Sequence, residues 1–504
     1  MLLIIHGLVL CVIILVVNYV WNKRKFYYLS WHLKGPIAFP FIGNAWMFLN
    51  PSCGTINLIS KLGHKYGPRI RFWLGSKLLV YINSPEDMET LINSNIQDKG
   101  TVYDSVSDLI GGHGLLSLNG NDWKIHRKLL NHTVQHYGIL NSYSPIFDEK
   151  VKILIALLNK KVGQTVNIYD YVESAAAEIV CNTTFGVNLK LQQNENRMFL
   201  DAVNEGTRLV ALKTLKPWYQ NKVIMRFSKY HKISVESAST IKEFVRKIYG
   251  QKLMEFNSQI SNESTGVHTD ELGIKQSRNF IDECIRLTVT QKCFQEQDSI
   301  NESITMLLAG FETTAGTVAN AILMLAMHPE YQQKVYEEIE NNLTNDQTTV
   351  TADVINQLTY TDRLIKETLR LFPIIPLITR ITRSEMKIGK HDIPIGTEFI
   401  LSIFDLHRKA SIWGPDADKF DPNNFLPENV AQRHAHSFVP FSFGSRNCVG
   451  ARYANIVVRL IVASLVRNFI FTTEEKYEDL RLKWAITLKL ENGHFVKLTK
   501  RNFS

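Results

Sequence analysis

The order of hydrophobic and polar residues divides this chain into an apolar N-terminal run and a long, mainly helical remainder. Residues 2–21 are almost continuously apolar, and apolar positions recur with the helical period from about residue 84 onward. Shorter alternating runs flank Gly75 and Gly493, which predicts a β-hairpin at each glycine. The pattern therefore predicts one large, mainly α-helical domain with a small β part, behind an N-terminal apolar segment.

The apolar segment, residues 1–21, predicts a membrane anchor, because roughly 20 apolar residues cross a bilayer as a helix. Basic residues 23–25 follow it and none precedes it, so the positive-inside rule keeps the rest of the chain on the cytoplasmic face. A small-residue cleavage site is lacking, so we expect the anchor to stay uncleaved. Residues 22–45 combine this basic stretch with prolines and predict a stiff hinge before the globular domain, residues 46–504.

Composition and charge narrow the class of protein. The 504 residues are 45% hydrophobic and 21% charged, with a formal net charge of +9, and no long block of Lys or Arg favours nucleic acid as a partner. The six cysteines are scattered without a Cys-x-x-Cys pair, which argues against a zinc ribbon or disulfide framework and favours a reducing compartment. Residues 258–276, rich in Ser, Asn, Glu and Gly, predict an exposed loop between helices.

One cysteine lies in a segment whose composition suits a metal ligand. From Phe441 to Gly450 the chain reads Phe-x-x-Gly-x-Arg-x-Cys-x-Gly. Gly444 and Gly450 let the backbone lie flat against a planar ligand, while Arg446 supplies a fixed positive charge. A cysteine beside glycines is more often a small buried hydrophobe, but every defined position is present here. The segment resembles the haem-ligand loop of the cytochrome P450 family, in which the thiolate, here Cys448, is the proximal ligand of haem iron.

That resemblance implies a fold, a cofactor and an activity. It covers nearly the whole chain and implies the cytochrome P450 fold for residues 46–504, with haem b (iron protoporphyrin IX) as cofactor. The implied activity is monooxygenation, in which one atom of O₂ enters a hydrophobic substrate and the other becomes water. The chain has no Gly-x-Gly-x-x-Gly dinucleotide site, so electrons must come from outside. The resemblance implies NADPH-cytochrome P450 reductase as the donor, with cytochrome b5 as a further one, at the endoplasmic reticulum membrane.

A second match lies inside a helical pattern that runs from about residue 299 to residue 327. Gly310 is costly there because glycine weakens a helix by up to about 1 kcal/mol, and Glu312 and Thr313 follow it. Alone, this is equally consistent with a purely structural role, in which the glycine allows close helix packing and the threonines bond back to the helix. Beside the cysteine segment it resembles the oxygen-activating stretch of the family. The resemblance implies a locally loosened helix, a hydrogen bond from Thr313 to the reacting oxygen and proton relay by Glu312.

The predicted helix before Pro373 carries Glu367 and Arg370 at positions i and i+3. Most such pairs are exposed and weak, but this one matches the Glu-x-x-Arg helix of the family, which implies a buried structural pair beneath the haem loop. The family places an arginine in a later Phe-x-Pro-x-Arg-Phe segment as a third partner. This chain has Asn424 at that position, and Arg408 or another nearby donor is a candidate replacement.

The two propionates of haem need cationic or polar donors. Trp123 and Arg127 lie at positions i and i+4 and match the Trp-x-x-x-Arg of the family. Arg446 comes from the cysteine segment, and Arg380 aligns with a position that contacts a propionate in many members. The alternative for each arginine is an ordinary surface cation. The resemblance implies that these four side chains hold the cofactor.

The motif spacing resembles the branch that contains fatty-acid ω-hydroxylases and related insect enzymes. Many members of that branch have a glutamate that esterifies a haem methyl where this chain has Ala309, so we expect haem that is not covalently attached. The same departure weakens the argument for fatty-acid ω-hydroxylation. The resemblance implies a mainly apolar substrate cavity and a hydrophobic substrate, with lining residues in the ranges 102–116, 304–308, 374–377 and 486–487.

Three alternative functions stay open at this point. One is a haem-thiolate isomerase or dehydratase that rearranges peroxides without a reductase, and another is a haem-binding sensor or scavenger without turnover. Glu312 and Thr313 argue against both, because neither function requires a proton relay. The third is a hydrolase with Cys448 as nucleophile, which needs a histidine base placed beside it by the fold.

Overall fold

The computed structural model describes residues 2–48, 54–94, 98–135, 140, 142–263, 279–343, 350 and 352–501. Helices in these residues are α1 (Leu2–His32), α2 (Thr55–Tyr66), α3 (Pro85–Asn93), α4 (Asp104–Ile110), α5 (Gly120–Gln135), α6 (Ser144–Asn159), α7 (Ile168–Phe185), α8 (Arg197–Leu215), α9 (Lys222–Arg226), α10 (His231–Glu263), α11 (Phe280–Val289), α12 (Glu296–Met327), α13 (Pro329–Asn342), α14 (Ala352–Ile355), α15 (Thr359–Leu371), α16 (Ile403–Leu406), α17 (Ala410–Trp413), α18 (Pro427–Ala431) and α19 (Ala451–Asn468). The strands are β1 (Arg69–Leu74), β2 (Lys77–Ile82), β3 (Thr165–Asn167), β4 (Leu377–Ile381), β5 (Met386–Ile388), β6 (His391–Ile393), β7 (Glu398–Ser402), β8 (Phe469–Thr472), β9 (Leu482–Ala485), β10 (Thr487–Leu490) and β11 (Phe495–Lys500).

Helix α12 is the centre of the core. It packs against α7, α10, α11, α15 and α19, and it can do so because its side chains are apolar or small on almost every face. A capping box formed by Gln295 and Asp298 begins the helix, and Pro329 follows its end. Its length and hydropathy would allow it to cross a bilayer, but 78% of its apolar window is buried inside the protein. The predicted helix over residues 299–327 is confirmed as this core helix.

Helix α1 is longer than the predicted anchor. Its apolar window is fully exposed, which is consistent with a membrane-spanning segment. The helix does not end near residue 21 but continues to His32, because the basic residues that follow are good helix formers and the next glycine is Gly35. Leu29 and Leu33 are buried against the sheet that contains β2 and β7. The last turns of α1 therefore belong to the globular domain, and the extended hinge is shorter than predicted.

The β part consists of four small sheets in the described residues. The largest has the strand order β1-β2-β7-β4, with β2 and β7 parallel and the other pairs antiparallel. The hairpin predicted at Gly75 is confirmed, and this glycine has a φ of +61° in the turn. A three-stranded sheet has the order β3-β11-β8, and the remaining two are the β5–β6 and β9–β10 pairs.

The prediction of a hairpin at Gly493 is wrong. The C-terminal hairpin turns at Ile486, between β9 and β10, and β11 pairs with β3 and β8 instead. The backbone N–H of His494 donates to Oδ1 of Asn167 at 2.9 Å, which directs the chain after Gly493 towards β3. Sequence alternation indicates strands in this region but cannot say how many there are or which of them are neighbours.

The prediction of a loop over residues 258–276 is also partly wrong. Helix α10 continues to Glu263, so the first residues of that segment are helical. Serine and asparagine only weakly oppose helix formation, and the long preceding helix overrides their preference. The rest of the predicted loop lies outside the described residues.

Candidate active site

A cavity of about 450 Å³ lies between α12 and the segment of residues 441–450, called here the cysteine segment. Its lining includes nine of the residues singled out from the sequence, namely Trp123, Arg127, Glu312, Thr313, Arg380, Phe441, Arg446, Cys448 and Gly450. These residues come from four separate parts of the chain, so the fold brings them together. Gly444 is not among the lining residues. It has a φ of +64° and begins the short 3-10 turn that presents Arg446.

The cysteine segment folds so that the sulfur of Cys448 faces this cavity. The N–H of Cys448 donates to the carbonyl of Phe441 at 2.8 Å, which closes the segment into a loop. Burial raises the pKa of the Cys448 thiol, while the N–H of Gly450 and the charge of Arg127 lower it in part. A thiol whose pKa is raised in this way becomes a thiolate readily when a metal ion binds it, because the ion supplies a compensating positive charge.

Arg446 is the clearest sign that the cavity fits an anionic group. Its guanidinium lies 3.9 Å from the ring of Trp123, and Nη2 donates to the carbonyl of Leu118 at 2.7 Å. Nε and Nη1 are buried and have no hydrogen-bond partner among the described residues. Burial is the main reason that the pKa of Arg446 falls to about 9. Unpaired buried donors on a cation are costly, so this side chain is built for an acceptor that binds beside it.

Two further arginines border the same region. Arg127, on α5, donates to the backbone carbonyl of Asn447 at 2.9 Å and to the Oδ1 atom of Asn447 at 2.7 Å. Arg380, on β4, is buried and donates to the hydroxyl of Ser442 at 3.1 Å. Burial lowers the pKa of Arg380. Both arginines therefore hold the cysteine segment and leave cationic surface on the cavity.

Lys99 was not singled out from the sequence. It lines the cavity, and its ammonium lies 4.2 Å from the ring centre of Tyr103. Its pKa is lowered well below the usual lysine value, first by burial and then by repulsion from Arg380 and Arg446. Nothing in the local sequence marks this lysine, because its cationic neighbours are distant in the chain. The cavity thus gathers four basic side chains, which suits a ligand with several negative charges.

Helix α12 presents Glu312 and Thr313 to the cavity. The hydroxyl of Thr313 donates to the carbonyl of Ala309 at 2.8 Å, and α12 runs without interruption past Gly310. The expected local loosening of this helix is therefore not observed. A Cβ added to Gly310 would lie 3.0 Å from the side chain of Val180, so this glycine permits the close packing of α12 on α7.

Glu312 has two partners that the sequence did not indicate. Its Oε1 accepts from the hydroxyl of Thr487 at 2.8 Å and lies 2.7 Å from Nζ of Lys489. The carboxylate is buried, whereas the lysine side chain is 30% exposed. The C-terminal hairpin β9–β10 thereby holds a buried acid beside the cavity and links it to a more exposed cation.

The pair Glu367 and Arg370 lies outside the cavity and is fully buried. Two hydrogen bonds of 2.7 Å join the side chains. Oε1 of Glu367 also accepts from the backbone N–H of Asp421 at 2.8 Å and from Nδ2 of Asn424 at 3.1 Å. Asn424 itself therefore supplies the third partner through its amide. Arg408 does not replace it, because its guanidinium donates to the carbonyl of Leu371.

His407 connects this pair to the cysteine segment, a role that was not predicted. Its carbonyl accepts from Arg370 at 2.9 Å, and its Nε2 accepts the N–H of Val439, just before the segment, at 2.9 Å. Burial and the charges of Arg370 and Arg408 lower the pKa of His407 to about 3, so the imidazole stays neutral and can accept.

The rest of the cavity wall is mainly apolar. The predicted ranges contribute Val102, Leu115, Leu116, Leu308, Ile374, Leu377 and Ile486. Ile304 and Leu307 lie in the hydrophobic core instead. Helix α8 adds wall residues that were not predicted, among them Val210 and Leu215. At residue 309 the wall carries an alanine methyl group and no carboxylate.

The site fits haem. It offers a thiol toward the iron, basic side chains with unused hydrogen-bond donors toward the propionates, and an apolar space. The fold and the site therefore define a haem-thiolate protein. The sequence profile of the family described as Cytochrome P450 matches residues 33–497. The chain belongs to the cytochrome P450 family.

The relatives of the chain agree with this assignment. "Probable cytochrome P450 313a4" of Drosophila melanogaster is 30% identical, and the alignment covers 96% of this chain and 97% of the relative. "Cytochrome P450 4c3" of the same organism is 29% identical over 97% of this chain and 93% of the relative. "Cytochrome P450 4V2" of Pongo abelii is 28% identical over 94% and 91%. The chain is accordingly a haem-dependent monooxygenase and an oxidoreductase.

Proposed function

We propose that this enzyme inserts one oxygen atom from O₂ into a hydrophobic small molecule such as a lipid, a hormone or an insecticide. The observation that carries the proposal is the position of Cys448 and of the pair Glu312 and Thr313 on one largely apolar cavity. A hydrophobic substrate suits these walls because its transfer from water to apolar surroundings is favourable.

Haem b would be held without a covalent bond, since residue 309 is alanine. Cys448 would bind the iron, and the cations Lys99, Arg127, Arg380 and Arg446 would bind the propionates, with Trp123 under the Arg446 guanidinium. When bound, haem supplies the iron that activates oxygen for insertion. The apolar wall would exclude bulk water from the reacting atoms.

Side chains of the protein relay the protons that the reaction consumes. In this proposal Thr313 orients a proton donor at the reacting oxygen, and Glu312 delivers protons from the side of Lys489 and Thr487. To act, the Thr313 hydroxyl must exchange its bond to the Ala309 carbonyl for one to the bound reactant. A continuous helix is compatible with that exchange, because only a side-chain rotation is needed.

Replacement of Thr313 by alanine tests this role. With reductase and NADPH, Thr313→Ala should release several times more hydrogen peroxide per NADPH consumed than wild type, because the proton donor at the reacting oxygen is no longer oriented. Thr317→Ala is a matched control, since that hydroxyl is bonded back to the same helix in the same way. Equal peroxide yields in Thr313→Ala and wild type would remove the assigned role.

For electrons we propose NADPH-cytochrome P450 reductase, supplemented by cytochrome b5. For location we propose the endoplasmic reticulum membrane, with the catalytic domain on the cytoplasmic face. The exposed apolar part of α1 and the basic residues that follow support this orientation. Metabolite profiling of reconstituted enzyme with fatty acids, juvenoids, ecdysteroids and insecticides would identify the substrate. Polar compounds of similar size serve as the control, and turnover of these alone would contradict a hydrophobic substrate class.

A further inference from the structure

A cluster of metal-binding side chains lies apart from the cavity, where α3 contacts the short 3-10 turn Ala435–Ser437. Glu89 comes from α3, His434 caps the turn and His436 lies within it. One ligand atom from each side chain lies within 4.8 Å of those from the other two. Two imidazoles and one carboxylate are the donor set of zinc sites that keep an open fourth position.

The spacing of the first two ligands already suits a metal. Nε2 of His434 lies 3.3 Å from Oε2 of Glu89. Tetrahedral ligands at about 2.0–2.1 Å from Zn²⁺ are roughly 3.3 Å apart, so this pair needs no further approach. The ring of His436, whose centre lies 5.6 Å from that of His434, supplies the third candidate ligand beside this pair.

The hydrogen bonds of the two imidazoles decide which ring nitrogens are available to a metal ion. Nδ1 of His436 is buried and has no hydrogen-bond partner among the described residues, so no protein group there occupies that nitrogen. Nδ1 of His434 accepts the backbone N–H of His436 at 3.1 Å, which leaves Nε2 as the metal-binding nitrogen. Coordination through Nε2 places the remaining proton of His434 on Nδ1, so this backbone bond is exchanged for the metal bond.

We infer that Glu89, His434 and His436 form a site for a zinc-type divalent cation. Imidazole ligands favour Zn²⁺ over Mg²⁺ and Ca²⁺, which prefer sites built from oxygen. The ring of His436 meets that of Phe443 edge-on at 6.1 Å, and Phe443 belongs to the cysteine segment. A bound cation therefore ties α3 to the turn that leads into that segment and stabilises both.

Equilibrium dialysis of full-length, haem-loaded enzyme tests the site. The protein is stripped with EDTA in detergent, dialysed against micromolar Zn²⁺ or Mg²⁺, and analysed for metal. We expect one zinc per haem and no bound magnesium. Glu89→Gln, His434→Ala and His436→Ala should each weaken zinc binding at least tenfold. His231→Ala, which removes an exposed histidine of α10, should leave it unchanged.

Each outcome decides the question. Zinc that binds wild type and is lost in the three variants supports the site, as does a zinc-induced rise in unfolding temperature that these variants lack. No zinc on wild type would mean that His434 and Glu89 form an ion pair only, and would overturn the inference. Zinc bound equally by wild type and all variants would place it elsewhere and also overturn it. Glu89→Gln alters an exposed side chain, so its folding is not at risk.

Discussion

Replacement of Asn424 by aspartate tests how this chain satisfies its buried Glu367. The amide of Asn424 donates to Oε1 of Glu367 at 3.1 Å, at the position where the family pattern has an arginine. Asn424→Asp keeps the size of the side chain but removes the donor and adds a second carboxylate. The change therefore isolates the polar contact from packing.

The cost follows from the geometry. Two unit charges 3.1 Å apart repel by roughly 5 kcal/mol at an effective dielectric constant of about 20. Protonation of an ordinary aspartate at pH 7 costs about 4 kcal/mol, so the introduced carboxyl takes up a proton instead. Asn424→Asp should lower the free energy of unfolding by up to about 4 kcal/mol at pH 7. The introduced carboxyl has a raised pKa in the folded state, so the loss of unfolding free energy should shrink by about 1.4 kcal/mol for each unit that the pH falls.

Urea unfolding followed by far-UV circular dichroism, at pH 7 and pH 6, measures this difference against wild type. Asn424→Ala should cost about 1.5–3 kcal/mol at both pH values, because it only removes a hydrogen bond to a charged group. Asn423→Asp adds the same charge at the exposed neighbouring residue and should change stability by less than about 0.5 kcal/mol. If Asn424→Asp matched Asn423→Asp, or if its deficit did not depend on pH, the proposed contact with Glu367 would be wrong.

Two further predictions concern other contacts. His126 lies 2.6 Å from the buried Glu302, and although burial lowers the pKa of this imidazole, the hydrogen bond and charge of Glu302 raise it overall above 6.5. The stabilisation of the folded state by this pair is complete below pH 6.5 and is lost as pH rises through the folded-state pKa. In thermal unfolding, His126→Gln should therefore be most destabilised relative to wild type at pH 6 and least at pH 9. The opposite trend would contradict the pairing. Gly43 has a φ of +63°, and a Cβ there would meet the carbonyl of Trp73. The left-handed conformation alone costs a non-glycine residue about 1–2 kcal/mol, so Gly43→Ala should lower the free energy of unfolding by more than that. Gly250→Ala, where a Cβ meets nothing within 4 Å, should be neutral or stabilising, and equal unfolding temperatures for the two variants would refute the argument.

The features that sequence predicted well are local. The period of α12, the hairpin at Gly75 and the composition of the cysteine segment each depend on residues close together in the chain. The extent of α1 and α10 was underestimated because helix formers continue past the point where the apolar or loop-like character changes.

The features that sequence missed depend on contacts between distant segments. Lys99 and Lys489 look like ordinary surface cations in the sequence, yet the fold brings one to the cavity and the other to Glu312. Asn424 looked like a lost partner of Glu367, whereas its amide reaches the same carboxylate that an arginine would. The pairing of β11 with β3 and β8 was missed for the same reason, since alternation says nothing about neighbours.

The most direct test of the account concerns the sulfur of Cys448. Full-length enzyme produced with adequate haem should, after reduction and exposure to carbon monoxide, give the red-shifted Soret band of a thiolate-bound haem. Cys448→Ser should lose that band while circular dichroism still reports a helical fold. A folded wild-type protein without the band, or a Cys448→Ser variant that retains it, would contradict the account.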